Sequence, residues 1–262
     1  MLLSFVITAY NRADKVSRAI DSVLKQIINL ELVEILVIDD GSDDDTQKVL
    51  APYVESQKIR SFVHDKNRGV GAAKNTGIIN SKNEYIVSLD SDDMLDDGAL
   101  EFLISFVQQN KYDVIFFGTK VLQTGKYLFD PQFTGFKTYK DFLTGTVGEY
   151  LPVCRNDVMK KNLMRDLRGY ESITWLSIAR AGYQIYYDSR PLILVDYSGD
   201  DRLTNKANRI QAAAKMYKGA RVYLQEFGSD IRKVDFKKYL KLNIKCFGYF
   251  ILQLIPFKKK FL

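Results

Sequence analysis

Histidine is almost missing from this sequence: one residue, His64, stands among 262, beside two cysteines and one tryptophan. Any Ser-His-Asp or Cys-His nucleophile system therefore has a single candidate base, and no serine or cysteine stands beside it in a recognisable setting. Zinc chemistry built on His and Cys lacks a ligand set, because Cys154 and Cys246 are far from each other and from His64. Two scattered cysteines also make no disulfide framework, which points to a reducing compartment. No Gly-x-x-x-x-Gly-Lys-Ser/Thr loop occurs. Gly69-Val70-Gly71 opens a dinucleotide-type pattern, but Lys74 stands where its third glycine belongs. Met1–Thr8 is apolar yet lacks a basic leading segment and soon reaches Asn11-Arg12, so no signal peptide is expected. Cys246–Phe257, with Gln253 its strongly polar member, falls short of the roughly 20 apolar residues a bilayer-spanning helix needs.

What is present is ordinary for a globular α/β protein: 46% hydrophobic and 27% charged residues, enough chain for one large domain with an appendage. The net charge of +6 is unevenly placed. From Arg232 to Leu262 there are nine Lys or Arg and one acid, Asp235, while the remainder sums to −2. The basic character belongs to the C-terminal tail, so charge gives no ground for a nucleic-acid partner.

Strand and helix patterns alternate along the first 110 residues. Leu2–Thr8, Val33–Ile38, Ile59–His64 and Tyr85–Leu89 read as buried strands. Helical spacing follows from Asp14 (Val16, Ala19, Ile20, Val23, Leu24, Ile27), over Thr46–Val54, Ala72–Ile79 and Leu95–Gln109. Such alternation predicts a mostly parallel sheet with helices on both faces. Beyond it, Val114–Phe117 is strand-like, with Val121–Phe129 continuing as a hairpin. Tyr139–Leu143 and Asp157–Met164 read as short helices, and Ile173–Ala181 as a helix stopped by Gly182. Gln184–Tyr187 and Leu192–Val195 read as closing strands, and Asn205–Glu226 as a long helix ended by Gly228. Lys237–Phe257, followed by Lys258-Lys259-Lys260, is a basic, aromatic amphipathic segment. It suits an anionic membrane surface, or packs on its own domain with a solvated lysine cap.

The loops after the strands carry the chemistry. Tyr85–Leu89 stops at Asp90-Ser91-Asp92-Asp93, three carboxylates in four residues. Ligands of open α/β sheets bind at this rim. The cluster is either an acidic turn before a helix or a site for a hard cation such as Mg²⁺ or Mn²⁺, which would also hold substrate phosphates. A cation there would offset the charge of a diphosphate leaving group.

Four stretches in order resemble the family-2 glycosyltransferases with the GT-A fold. They are Ser4–Arg12, Glu34–Thr46 (with Asp39-Asp40-Gly41-Ser42), Asn67–Gly77 and Tyr85–Asp93. The resemblance is clear over residues 3–110 and weaker over 150–204. It implies a single GT-A domain whose residues 1–110 bind a nucleotide-sugar. Residues 111–204 would form the acceptor side, and 205–262 a helical extension. By the same resemblance Thr8, Ala9, Tyr10 and Arg12 lie against the nucleotide and Asp40 accepts from its base. Asp90 and Ser91 approach the ribose, and Asp92 meets the metal, Mn²⁺ or Mg²⁺, with Asp93 orienting the loop. Lys74 stands where the family has arginine, keeping the charge without the planar fork.

The family's Glu-Asp pair becomes Glu171-Ser172 here, which leaves Glu171 as the general base; a plain helix-start role for it, and Asp157 as another base, stay open. Trp175 reads as core or as a sugar-stacking ring, and Asp196–Thr204, with Asp200, Asp201 and Arg202, as a loop closing over the diphosphate. The function implied is inverting transfer from a nucleotide-sugar, a UDP-sugar for choice, to a glycan or lipid-linked glycan in polysaccharide assembly. The expected setting is the cytoplasmic face of the cell membrane. The rivals are an inactive nucleotide-sugar-binding relative, favoured by Ser172, and a nucleotidyltransferase, disfavoured by the absence of glycine in Ala9-Tyr10-Asn11-Arg12.

Overall fold

A computed structural model describes residues 2–27, 29, 31–145, 148–165, 167, 169–198 and 213–254. Four apolar runs set its framework. β1 (Leu3–Ala9), β2 (Val33–Asp39), β3 (Arg60–Val63) and β4 (Tyr85–Asp90) lie parallel in the order β3-β2-β1-β4. Parallel neighbours need crossovers, and α1 (Val16–Leu24), α2 (Thr46–Glu55) and α3 (Val70–Asn80) supply them. Successive strand side chains face opposite ways. Leu3, Phe5 and Ile7 therefore join one buried cluster with Val16, Ile20 and Val23 of α1, and Val6 joins a second with Ala73 and Ile78 of α3. With both faces covered, the strands read as unbroken apolar runs. The register pairs Ala9 with Asp39 and Thr8 with Asp90, so β1, β2 and β4 end level with one another.

The sheet continues through β5 (Met94–Leu95), β6 (Val114–Val121), β7 (Gly135–Phe136), β8 (Leu151–Arg155) and β9 (Ile185–Val195). Its path beyond β4 is β8-β6-β9-β5, with β7 also on β9. β6 and β9 are parallel, while β8 runs antiparallel to both β4 and β6, and β5 and β7 run antiparallel to β9. The helices of this half are α4 (Ala99–Gln109), α5 (Tyr139–Thr144), α6 (Asn156–Lys161) and α7 (Ser172–Arg180), then α8 (Ala213–Val234) and α9 (Phe236–Leu254). Gly228 faces Tyr239 and Tyr217 meets Phe250, so α8 and α9 fold back on each other as a helical hairpin.

The structure departs from the sequence reading where long-range pairing outweighs local pattern. Met94–Leu95 is a strand because it pairs with Ile193 and Leu194 of β9, and the following helix starts only at Ala99. β8 was not legible: Pro152 offers no N–H and breaks the strand signal, yet it sits opposite Phe116 in the ladder. The two closing strands are one, β9, with register shifts opposite Phe117–Thr119. The hairpin over 121–129 reduces to one bridge, Lys120 to Tyr127. Gly228 does not end its helix. Phe227 and Ile231 are fully buried on either side of it, which outweighs the roughly 1 kcal/mol a helical glycine costs, and α8 runs to Val234. Trp175 is core, edge-on to Phe116. Residues 205–212 of the expected long helix, Asp200, Asp201 and Arg202, and Lys258–Lys260 lie outside the described residues. Among the described residues no helix is long and apolar enough to cross a membrane.

Candidate functional site

The level ends of β1 and β2 are stitched together by their loops. The Asp40 N–H donates to Ala9 O (2.8 Å), Asn11 N to Ser42 Oγ (2.9 Å), Arg12 N to Thr46 Oγ1 (2.9 Å) and Asp43 N to Asn11 Oδ1 (2.9 Å). Asn11 takes the left-handed conformation (φ 52°), which asparagine tolerates, and turns the loop there. Thr8 and Ala9 are buried, whereas Tyr10 projects from the rim with 40% of its surface exposed. Gly41 has φ +73°, and a Cβ there would meet the Lys66 backbone carbon at 2.4 Å, so only glycine lets the two loops touch.

Asp40 is occupied differently from a carboxylate open to a base. Its side chain is 4% exposed, and His64 Nδ1 lies 2.6 Å from Oδ1. Oδ1 also accepts from Arg68 N (3.0 Å) and Oδ2 from Gly69 N (2.8 Å). His64 Nε2 in turn lies 2.9 Å from Thr76 Oγ1 on α3. A carboxylate has about four lone-pair positions, and three are taken, leaving one on Oδ2. The single histidine is thus a brace between β2 and α3, a role its place in the sequence does not signal.

At the end of β4, Lys74 Nζ reaches across from α3 to Asp90 Oδ1 (2.9 Å) with its side chain 19% exposed. Burial acts against that ammonium, but Asp90, with Asp93 and Glu171 further away, outweighs it and raises its pKa. Burial and the Asp90 charge raise Asp92, and burial with Asp90 and Asp92 pushes Asp93 up to about 8. Ser91 is buried between them. The loop is held from behind by Arg18 of α1, which donates to Asp92 O (3.1 Å) and to Asp196 Oδ2 (2.6 Å). Burial acts upward on Asp196, but hydrogen bonds from Arg18, Ser198 and Gln123 hold it well below the usual carboxylate range. The Asp196 N–H closes the circuit on Asp93 Oδ1 (3.3 Å).

Glu171 precedes α7 but makes no side-chain capping bond to it; its Oε1 accepts from Gly169 N (2.9 Å). It lines an open cavity of about 310 Å³ together with Ser172, Gly145, Tyr223 and Lys238. Its charge is felt at Lys74, the partner of Asp90, more weakly than those of Asp90 and Asp93. Asp157 does not join them. It ion-pairs with Arg155, which sits opposite Tyr85 at the start of β4, roughly 16 Å of strand away from Asp90. That position rules out Asp157 as a base acting at the β4 acids.

The acids fit a hard cation by their chemistry. Lys74 answers Asp90, while burial, with the charge of their acid neighbours, holds Asp92 and Asp93 above the ordinary range; a divalent cation beside them would favour their charged forms. Among the described residues no three Asp, Glu, His or Cys converge as a full ligand set. A cation bound through one or two carboxylates and completed by substrate phosphates needs no such set.

The model of glycosyl transferase family 2 matches residues 4–165. An uncharacterised glycosyltransferase of Rickettsia felis is 40% identical over 129 residues, 48% of this chain and 21% of that protein. The chondroitin synthase of Escherichia coli is 37% identical over 103 residues, 39% of this chain and 15% of that protein. TarP of Staphylococcus aureus, a poly(ribitol-phosphate) β-N-acetylglucosaminyltransferase, is 35% identical over 116 residues, 43% of this chain and 35% of that protein. The chain thus spans well under half the length of these relatives. The structure of S. aureus TarS 1–349 in complex with UDP-GlcNAc superposes with a TM-score of 0.72 at 16% identity, covering 97% of this chain and 73% of that one. The mannosyltransferase PcManGT of Pyrobaculum calidifontis, in complex with GDP-Man and Mn²⁺, gives 0.62 at 15% identity, covering 98% and 76%. The α/β architecture expected from the strand pattern is therefore that of the GT-A glycosyltransferases. With more than half of its length matched, including all four strand-end loops, the chain belongs to glycosyl transferase family 2.

Proposed function

We propose that this protein transfers a sugar from a nucleotide-sugar, a UDP-sugar, to a hydroxyl of a glycan or lipid-linked glycan, with inversion at the anomeric carbon. The observation that carries the reading is the Lys74–Asp90 ion pair at the donor rim, with Glu171 near enough for its charge to act on the same lysine. Thr8, Ala9, exposed Tyr10 and Arg12 border the nucleotide, and Asp40 has one lone pair on Oδ2 for a base N–H. Asp90 and Ser91 face the ribose. Lys74 balances the acids against the diphosphate.

In the reaction the acceptor oxygen attacks the anomeric carbon as Glu171 takes its proton. The new C–O bond forms as the bond from that carbon to the diphosphate oxygen breaks, and the electron pair leaves with the nucleoside diphosphate. Asp92 would hold Mn²⁺ or Mg²⁺, which supplies charge stabilisation for the leaving diphosphate when bound. Its acid neighbours and the Mn²⁺ named with PcManGT support that assignment.

The names of TarP and the chondroitin synthase support a role in surface-polysaccharide assembly. Contact with the inner face of the cell membrane would come through α9. Phe236, Leu240, Ile244, Phe247, Ile251 and Leu254 are exposed along one side of it, and the helix carries lysines and no acid. A second copy of the same helix would bring like charges together, whereas an anionic leaflet complements them. Replacing outward Ile244 and Phe247 by serine should abolish flotation with anionic vesicles; unchanged flotation would overturn the membrane reading.

The donor test is a thermal-shift series with nucleoside diphosphates and nucleotide-sugars, with and without Mn²⁺, followed by product analysis. A ligand at about 100 times its Kd should add about 2.7 kcal/mol of stability. Release of nucleoside diphosphate with sugar transfer is expected. Pyrophosphate release would establish a nucleotidyltransferase instead, and binding without turnover would establish the inactive relative that Ser172 favours.

A further inference from the structure

We infer that the cavity beside Glu171 is an acceptor subsite for an acidic sugar, one bearing a phosphate or a carboxylate, with the Lys238 ammonium as its counter-charge. This rests on the reading of Glu171 as the general base and adds the class of acceptor.

Lys238 comes from α9, far from Glu171 in sequence, and both line the same cavity. Its Nζ donates to the carbonyl of Gly145 (3.2 Å). No carboxylate among the described residues lies within ion-pair distance of it. Asp235, the nearby acid, spends Oδ1 on the Lys238 backbone N–H (2.8 Å). An ammonium has three donors, and one is spent on Gly145, which leaves two on a side chain that lines the cavity. Partial burial pulls the lysine's pKa down, with Asp235 acting in the other direction. With Nζ bonded to one neutral carbonyl and Asp235 acting on it only from beyond ion-pair distance, an anion beside the half-buried ammonium would offset its burial cost.

The volume of about 310 Å³ is at the lower end of the roughly 300–1,000 Å³ typical of small-molecule sites, room for one sugar residue. The two charged groups divide the work. Glu171 takes the proton of the reacting hydroxyl, and Lys238 neutralises the acidic substituent of the same sugar. The wall that carries Lys238 lies beyond residue 165, where the family match ends, so this selectivity belongs to the C-terminal extension.

The test uses the full chain in saturating UDP, so that small anions are kept from the donor rim. Binding of glucose 6-phosphate, glucuronate and glucose is measured by calorimetry for the wild type, Lys238→Met and Lys238→Arg. At least one acidic sugar should bind tenfold or more tightly than glucose, and which one does so distinguishes phosphate from carboxylate. Lys238→Met should erase the preference and Lys238→Arg keep it, with UDP affinity unchanged in both. Equal binding of glucose, or a preference that survives Lys238→Met, overturns the subsite. If Lys238→Met fails to fold, acetylation of wild-type lysines decides. The preferred acidic sugar should slow modification of Lys238 and not of exposed Lys237, and equal rates overturn the proposal. Selective acidic-sugar binding in a protein that neither binds nor turns over UDP-sugars would uphold the subsite and sink the donor reading.

Discussion

The rim of β1, β2 and β4 and the cavity beside α7 hold their charges in opposite ways. At the rim Asp40 has three partners, Asp196 is gripped by Arg18, Gln123 and Ser198, and the two loops share a ladder of backbone-to-side-chain bonds. At the cavity Glu171 is held by one backbone N–H and Lys238 by one carbonyl. The first region is cross-braced by its own side chains, which suits a site whose geometry is set before a ligand arrives. The second is thinly held and framed in part by residues outside the family match, which suits a site that differs from one relative to the next.

The largest break in that contrast should come from Glu171→Gln. Turnover should fall about 10²–10⁴-fold with nucleotide affinity unchanged, measured by steady-state kinetics and calorimetry; unaltered turnover would remove Glu171 as the base. A pair of glycine substitutions tests rigidity on each side. Gly41→Ala forces a Cβ into the Lys66 backbone at positive φ, at a cost of about 1–3 kcal/mol. It should lower both Tm and UDP affinity. Gly219→Ala drives a Cβ to 2.6 Å from the Tyr170 ring, also at about 1–3 kcal/mol. It should lower Tm and leave UDP affinity unchanged, because the strain falls on Tyr170 and not on the donor loops. Asp92→Asn should weaken UDP binding about tenfold in Mn²⁺ and leave it unchanged in chelator, about 1.4 kcal/mol of metal-dependent affinity. Equal loss in both conditions would take the metal away from Asp92.

The smallest effect concerns the brace behind the rim. Asp196 is held below its unfolded value of about 3.9, so its contribution to stability is present above that pH and fades as pH falls through the folded value. Asp196→Asn should therefore lower Tm most near pH 6–7, with the gap closing below about pH 4.

The N-terminal half was legible because its information is local. An apolar run between turn residues makes a buried strand whatever follows, and level strand ends come with short crossovers. Thr8–Arg12, Asp39-Asp40 and Asp90–Asp93 could be placed on one rim before any coordinates. The second half was less so. Pro152 hid β8, and Met94–Leu95 is a strand only because β9 lies beside it. Within the site, His64 gave no sign of Asp40, and Lys238 none of Glu171.

The sequence by itself determined the α/β alternation, the four loops and the residue types available for oxygen and phosphate chemistry, because these follow from periodicity and composition. Only the tertiary structure decided how the charges are shared. It gave Asp40 to His64, Asp90 to Lys74 and Asp196 to Arg18, and it set Lys238 across from Glu171. The reason is physical: an ion pair depends on a few ångströms of separation. Those distances are set by strand register and by how the α8–α9 hairpin seats on the domain, not by spacing along the chain.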